Sequence, residues 1–306
     1  RLTRDPMPAF SLAFDDPRVD ELRQNRTLDS FPGYRLFGSR VRCGDSDLHL
    51  LSRMLWHCEE PTVSGIEVAQ MVLSEASARQ VKVVLTGEGS DELFGGYGWF
   101  RVEPLFLALA RLPLWLRRAM MPPPLARRLW SAHMKLTAPR EMGLKRYRHL
   151  IGLRHGEMID RLLSRDLERR LADAEGSEQE MAPPEALRRW HPIHQLQYFE
   201  MKVRLPDFIE HHLDRMSMAH SLEVRVPFLD HELVEFCAMI PPSLKVRWLE
   251  DKHILRRAMH GVLPEEILRR KKRGLRAPVG RWLREPMPGD LQELLSPSML
   301  NDKGYF

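Results

Sequence analysis

The stretch 83–97 concentrates the residue types that bind phosphate and metal ions. It begins with the apolar, β-branched residues typical of a buried strand, breaks at two glycines and ends at a second glycine pair. Three acids, Glu88, Asp91 and Glu92, fall within it. Backbone N–H groups of a glycine-rich turn can bind phosphate oxygens, and either Asp91 or Glu92 could hold Mg²⁺. The pattern predicts an anion and metal site at the carboxyl end of a parallel strand.

The crowding of these three acids argues against a simple tight turn with a solvated acidic face, which is the structural alternative. Like charges held together cost stability unless a cation or a proton relieves them. Two lysines in the last third of the chain could supply the cations. Lys252 starts a predicted helix, and Lys272 lies in the basic run 269–273, just before a loop glycine. Together they could bring two ammonium groups to one phosphate cluster, although a basic run is often only a solvated surface.

The composition sets limits on the kind of protein. The 306 residues are 43% hydrophobic and 29% charged, which is enough for one large domain or two moderate ones with a buried core. The net charge of +5 is spread over arginine doublets without interleaved aromatic residues, so small phosphates are favoured over nucleic acid. Cys43, Cys58 and Cys237 are too few and too widely spaced for a disulfide framework, which indicates a reducing cytoplasm. No apolar run is long enough to span a membrane.

The elements that must position these residues alternate in the first third of the chain. Strands are predicted at 9–14, 34–41 and 81–85, and helices at 18–30, 45–57 and 63–79. This order predicts an α/β fold with a parallel, doubly wound sheet over residues 1–100. Residues 101–306 are predicted to be mainly helical. Prolines are expected to break the helices at Pro104 and Pro113, and an exposed joint is expected at 173–184.

Three segments, in this order, resemble the synthetase domain of the glutamine-dependent asparagine synthetase family. The resemblance covers nearly the whole chain and is most specific in Gly-Glu-Gly-Ser-Asp-Glu-Leu-Phe-Gly-Gly-Tyr (87–97), Ser-Met-Ala-His-Ser-Leu-Glu-Val-Arg-Val-Pro-Phe-Leu-Asp (217–230), and Lys-His-Ile-Leu-Arg (252–256) with Lys-Arg-Gly (272–274). It implies a pyrophosphatase-type, adenine nucleotide hydrolase-like ATP-binding sheet joined to helices. It also implies ATP and Mg²⁺, and a reaction in which the aspartate side-chain carboxylate becomes an acyl-adenylate and ammonia displaces AMP.

The resemblance also implies roles for individual residues. Glu88 would accept the proton of the attacking ammonia, and Lys272 would stabilise the developing charge. Asp91 would be the Mg²⁺ ligand that bridges pyrophosphate. The resemblance implies seven further ATP-binding residues. Leu12, at the end of the first strand, would line the adenine pocket, and Lys252 would be a second phosphate-binding lysine. The other five belong to the turn and would contact the adenylate or its phosphates: Thr86, Gly87, Gly89, Ser90 and Glu92.

The chain departs from the family pattern before its first strand. A Ser-Gly-Gly-x-Asp-Ser loop should precede that strand, and a glutaminase domain with a nucleophilic cysteine should lie further upstream. We interpret both absences as truncation and expect ammonia to come from that upstream domain. The expected partners are thus a small carboxylate, aspartate first, and ammonia, with neither nucleic acid nor membrane; a homodimer is compatible with them.

Two further functions stay open alongside asparagine synthesis. A family member could convert another carboxylate to its amide, in secondary metabolism or in glycan tailoring. A paralogue without activity could serve as a binding module. The intact Glu88 favours transfer of ammonia over the intramolecular ring closures that other relatives catalyse.

Overall fold

The computed structural model describes residues 7–16, 19–20, 36–62, 64–120, 138, 143, 146–147, 150–151, 163–174, 184–247, 250–270, 272, 274–284 and 289–303. The predicted helix at 18–30 lies almost entirely outside the described residues, as does most of the predicted joint at 173–184.

Four short strands form two separate parallel pairs among the described residues. Strand β1 (Met7–Phe14) pairs with β2 (Leu36–Cys43), and Phe14 lies opposite Cys43. Strand β3 (Val83–Leu85) pairs with β4 (Glu223–Arg225). The mixed α/β class is confirmed, but the single doubly wound sheet is not. Strand β4 was not predicted, because its sequence Glu-Val-Arg lacks the apolar run that indicates a buried strand.

Helices account for most of the described chain. The predicted helix 45–57 begins as a 3₁₀ helix. Pro104, which was expected to break a helix, lies inside one. Pro113 does precede a new helix, as expected. The α-helices are Leu51–Cys58, Ile66–Ala78, Ser90–Phe94, Gly98–Leu109, Leu114–Ala119, Arg165–Ala174, Pro192–Phe199, His211–Met218, His231–Met239, Pro242–Lys245, His253–Ala258, Glu265–Leu268, Val279–Trp282, Gly289–Leu294 and Pro297–Lys303. The 3₁₀ helices are Asp45–Leu50, Glu185–Arg189 and Pro227–Leu229, and Glu200–Glu210 is a π-helix.

The backbone contacts divide the chain into two units that interleave along the sequence. The first unit comprises residues 1–94, 201–239 and 252–288, and the second comprises residues 95–200, 240–251 and 289–306. The boundary predicted at residue 100 remains a prediction. None of the helices in the described ranges is long and apolar enough to cross a membrane.

The first unit contains an apolar core that supports β1 and the helices around it. Its buried members come from both strands of the first pair, from one 3₁₀ helix and from four α-helices: Phe14, Cys43, Leu48, Met54, Cys58, Val68, Ala69, Met71, Met216 and Trp282. Removing this apolar area from water stabilises the unit. In the second unit, the side chains of Arg146 and Glu103 form a fully buried ion pair, with Nη2 and Oε1 2.6 Å apart.

Candidate functional site

The turn after β3 is held by backbone hydrogen bonds and by a glycine that cannot be replaced. Thr86 N donates to Arg225 O at 3.0 Å, which continues the β3–β4 ladder into the turn. Gly89 has a φ of +85°, and a Cβ at this position would lie 2.3 Å from a methyl carbon of Leu229. Both the backbone conformation and the close approach therefore require glycine. The helix Ser90–Phe94 begins immediately after this turn.

Asp91 is contacted by both of the lysines that the sequence predicted to converge here. Lys272 Nζ donates to Asp91 Oδ2 at 2.6 Å. Lys252 Nζ lies 3.0 Å from Oδ1, without hydrogen-bond geometry, and donates to Ser90 Oγ at 2.9 Å. Burial of Asp91 acts to raise its pKa, but the two ammonium groups outweigh burial and lower it. The Asp91 carboxylate is thus held in its charged form by two cations.

Lys252 occupies an uncommon backbone conformation. It has a φ of +50° and precedes the helix His253–Ala258. A left-handed conformation is unfavourable for a residue with a Cβ, and such conformations concentrate at binding sites. The residue that contacts Asp91 and Ser90 is therefore also one whose backbone is held out of its preferred region.

Glu88 experiences the opposite environment from Asp91. Burial raises the pKa of Glu88 first, the negative charges of Glu92 and Asp91 raise it further, and the two lysines counteract only part of this. The Glu92 side chain is almost fully buried, with 1% of its surface exposed. The predicted crowding of acids is therefore present, and a raised proton affinity of Glu88 accompanies it.

Glu210 is a site residue that the sequence did not predict. It ends the π-helix Glu200–Glu210, and its Oε1 atom is buried without a hydrogen-bond partner among the described residues. Burial, followed by the charges of Glu88, Glu92 and Asp214, raises the pKa of Glu210 to about 7. One sequence signal could have indicated it, namely an acid directly after the apolar pair Phe208-Ile209.

A cavity of about 550 Å³ lies beside Thr86, between the two strand pairs. Thr86 Oγ1 and Gln70 Oε1 belong to residues that line it, and both atoms are buried without partners among the described residues. Leu12, predicted to line an adenine pocket, is not among the residues that line this cavity, and it packs against the core of the first unit. The cavity is lined by Met7, Pro8, Ala9, Phe10, Gln70, Leu73, Ser74, Ser77, Val81, Val83, Val84, Leu85, Thr86, Leu213, Leu222 and Val224.

The described residues contain no group of three or more side chains that could enclose a metal ion by themselves. Mg²⁺ in nucleotide sites commonly uses one or two carboxylates, and phosphate oxygens and water complete its coordination. The buried Asp91 Oδ1, which lies 3.0 Å from the Lys252 ammonium and makes no hydrogen bond, can supply one such ligand. The donor set therefore fits a metal that arrives with a nucleotide, and Asp91 is the residue that would hold it.

The family model described as asparagine synthase matches residues 1–306, the entire chain. The chain belongs to the asparagine synthase family. Among its relatives, asparagine synthetase [glutamine-hydrolyzing] 1 of Bacillus subtilis is 27% identical over 302 residues, which is 92% of this chain and 44% of the relative. A putative asparagine synthetase [glutamine-hydrolyzing] of Mycobacterium bovis is 30% identical over 250 residues, with 80% and 37% covered. Amidase chry2 of Gibberella zeae is 27% identical over 281 residues, with 82% and 40% covered.

This asparagine synthase-family chain spans less than half the length of these three relatives. It corresponds to their synthetase domain, and the enzyme class of that domain is a ligase. The resemblance stated from the motifs is thus confirmed at the level of the family. The two lysines and the acidic turn belong to this domain.

Proposed function

We propose that the chain is the synthetase part of an ATP-dependent amide-forming enzyme that converts aspartate to asparagine, with release of AMP and pyrophosphate. The observation that carries the proposal is the convergence of Lys252 and Lys272 on Asp91, next to the turn that carries Glu88. Adenylation brings an anionic carboxylate to an anionic phosphate, so it needs cations fixed where negative charge develops. Two lysines within contact of the predicted metal ligand meet that need.

The residues of the turn and the two lysines have different roles in this reaction. Thr86 and Gly87 contact the adenylate, while Gly89, Ser90 and Glu92 shape the turn around the phosphates. Asp91 holds Mg²⁺, which screens the phosphate charge when it is bound. Lys252 binds phosphate, and Lys272 stabilises the charge that develops during adenylation and during the attack by ammonia.

Glu88 is the proton acceptor in the second half of the reaction. When ammonia attacks the acyl carbon, the bond from that carbon to the AMP oxygen breaks, and AMP leaves with the electron pair. One N–H proton must then be removed. A carboxylate whose pKa is raised toward neutrality is a more effective base than an ordinary one, and Glu88 has such a raised pKa.

The complete protein would contain the doubly wound sheet that the motifs predict. Residues of β1 and β3 line the same cavity, and β1 pairs with β2 whereas β3 pairs with β4. A further parallel strand seated in this cavity would join the two pairs into one sheet. Its carboxyl end would place a phosphate-binding loop beside Thr86. Leu12 then remains a candidate for the adenine pocket, formed only once this strand is present.

A second candidate is amide formation on another carboxylate. The similarity to relatives named amidase chry2 and amidase chyE favours it, at 27% and 28% identity. Both candidates share the adenylation half-reaction and differ in the acid. In either case we propose that ammonia comes from a glutaminase domain of the same protein and that the enzyme acts in the cytoplasm.

The test is exchange between ATP and pyrophosphate, measured with the protein that contains these residues. We expect exchange that depends on aspartate and Mg²⁺ and falls about 100-fold or more in Lys272→Ala, because a charge-stabilising group is removed. Lys82→Ala is the matched control, since Lys82 is an exposed lysine outside the site, and should leave exchange unchanged. Undiminished exchange in Lys272→Ala would refute the role of this lysine. A panel of carboxylates assayed for AMP release separates aspartate from the second candidate.

A further inference from the structure

The two lysines of the site lie at the two ends of one short stretch of chain. Lys252 precedes the helix His253–Ala258, and Lys272 lies beyond the end of the helix Glu265–Leu268. We call residues 252–272 the lysine segment. All of it belongs to the first unit. The position of one lysine relative to the other therefore depends on the contacts made inside this segment.

Arg256 joins the two ends of the lysine segment. Its backbone N–H donates to the carbonyl oxygen of Lys252 at 2.9 Å, within the first helical turn. Its guanidinium Nη1 donates to two carbonyl oxygens at the other end, that of Leu268 and, at 3.0 Å, that of Arg270. One side chain thus binds the backbone just before Lys272 to the helix that begins after Lys252.

The guanidinium group of Arg256 has the chemistry that this contact requires. Leu268 is the last residue of its helix, and carbonyl groups at the end of a helix have no partner within it. A cationic side chain at this end can satisfy them. One guanidinium amino group carries two N–H donors, so a single Nη1 atom serves both carbonyl groups. Arg257, the next residue of the same helix, is exposed to solvent and makes neither contact in the described part of the chain.

The side chains of the two lysines meet at one carboxylate. Lys272 Nζ lies 2.6 Å from Asp91 Oδ2, and Lys252 Nζ lies 3.0 Å from Oδ1. A lysine side chain is flexible, so its ammonium group stays in one place only when the backbone is fixed and the group is bound. Stabilisation of developing charge requires cations that are already in position before the reaction. The backbone before Lys272 must therefore be held, and Arg256 is bound to it.

We infer that Arg256 is a positioning residue for adenylation, which holds Lys272 at Asp91 beside Lys252 by binding the carbonyl groups of Leu268 and Arg270. The inference rests on the proposed function, because Lys272 is the residue through which Arg256 acts. The two lysines present charge to the phosphates, whereas Arg256 fixes the distance between them.

The first test is ATP–pyrophosphate exchange by the full-length protein that contains these residues. Arg256→Met keeps a long side chain without donors, and we expect kcat to fall about tenfold or more, since small displacements of a charge-stabilising group are costly. The KM for ATP should change less, because Lys252 still binds phosphate. Arg256→Lys keeps a charge and donors but not the planar fork, and should recover part of the loss. Arg257→Met is the matched control and should leave both parameters unchanged.

A double-mutant cycle separates positioning from a general loss of stability. When Arg256→Met is added to Lys272→Ala, we expect a further decrease in exchange of no more than about twofold, because the lysine that Arg256 positions is already absent. Losses that multiply in the double variant would overturn the inference. Absence of exchange in the wild-type protein would instead contradict the proposed function.

The second test does not depend on activity. Acetic anhydride labels the lysines of the unliganded protein, and mass spectrometry of its peptides reports each rate. In Arg256→Met we expect Lys272 to be labelled about two- to fivefold faster, since a partly exposed ion pair holds its ammonium group only weakly once the backbone is released. Lys82, which is exposed, is the reference, and Lys245, which is 1% exposed, reports unfolding.

If Arg256→Met exposes Lys245, the same measurement is made with Arg256→Lys, where a smaller increase at Lys272 is expected. An unchanged labelling rate of Lys272 in the folded variant would overturn the inference, whatever the exchange assay shows. An equal increase in Arg257→Met would also overturn it, because that variant leaves both carbonyl contacts in place.

Discussion

Two groups of acids in the first unit shift the pKa of a carboxyl group in opposite directions. In one, which we call the histidine clamp, Glu60 and Glu67 contact the ring of His212; in the other, Glu210 is influenced by the charges of Glu88, Glu92 and Asp214. In the clamp, burial acts to raise the pKa of Glu67, but hydrogen bonds from His212, Ser64 and Thr62 lower it to about 2. In the candidate site, burial raises the pKa of Glu210 to about 7, and the neighbouring acids add to the shift. Both carboxyl groups belong to the first unit, and burial acts to raise the pKa of both. Depth therefore does not decide the direction of the shift, whereas the charge of the neighbours does.

The difference indicates which cluster stabilises the fold and which is available for chemistry. A cluster whose charges are matched contributes to stability, because each partner lowers the cost of burying the other. A cluster of like charges lowers the stability of the fold, and such clusters occur at functional sites, where a carboxyl group with a raised pKa can take part in proton transfer. Asp91 is next to the second cluster, but the positive charges of Lys252 and Lys272 balance its negative charge and lower its pKa.

The largest expected effect comes from breaking the clamp. His212 is almost fully buried, with 3% exposed, and burial lowers its pKa less than Glu67 and Glu60 raise it. His212→Ala leaves two carboxylates without their cation, so we expect a loss of about 3–5 kcal/mol in the free energy of unfolding. Chemical denaturation near pH 6 would measure it. Because the pKa of His212 is raised in the folded state, the wild-type advantage should decline as the pH rises through that raised value.

A loss below about 1 kcal/mol for His212→Ala would show that the clamp is not a matched cluster. Glu88→Gln is the contrasting variant, because it removes a charge from the mismatched cluster. It should unfold at the same denaturant concentration as wild type or at a higher one.

The sequence predicts the parts of this site that depend on local patterns. The strand before Thr86, the glycine turn and the opposition of acids to lysines all follow from residue types and spacing. Strand β4 and Glu210 do not, because their significance arises from neighbours that are distant along the chain. Glu223–Arg225 becomes a strand by pairing with β3, and Glu210 becomes a site residue by lying near Glu88.

A smaller effect, with opposite signs in the two clusters, is expected from paired substitutions to glutamine. The lowered pKa of Glu67 contributes stability above its unfolded value of ~4.3, and this contribution is lost as the pH falls toward about 2. Glu67→Gln should therefore destabilise by about 2 kcal/mol near neutral pH and by less in acid. The raised pKa of Glu210 costs stability above the same unfolded value, so Glu210→Gln should stabilise by about 1 kcal/mol near pH 8 and have no effect near pH 4.

Denaturation curves of wild type and both variants across this pH range measure the two trends. If the two stability differences change in the same direction with pH, neighbouring charge does not set the shifts, and the contrast between the clusters is wrong. The comparison does not depend on activity, so it remains valid whatever the substrate is.

The smallest expected effect distinguishes the two acids of the clamp. The Glu60 side chain is 41% exposed, whereas that of Glu67 is 1% exposed, although both contact the His212 ring. Water already solvates most of the charge of Glu60, so Glu60→Gln should cost only about 0–1 kcal/mol at neutral pH. Glu67→Gln, measured under the same conditions by the same denaturation, is the control. Equal costs for both would mean that contact with His212, rather than burial, determines what each carboxylate contributes, and the clamp would then act as two independent ion pairs.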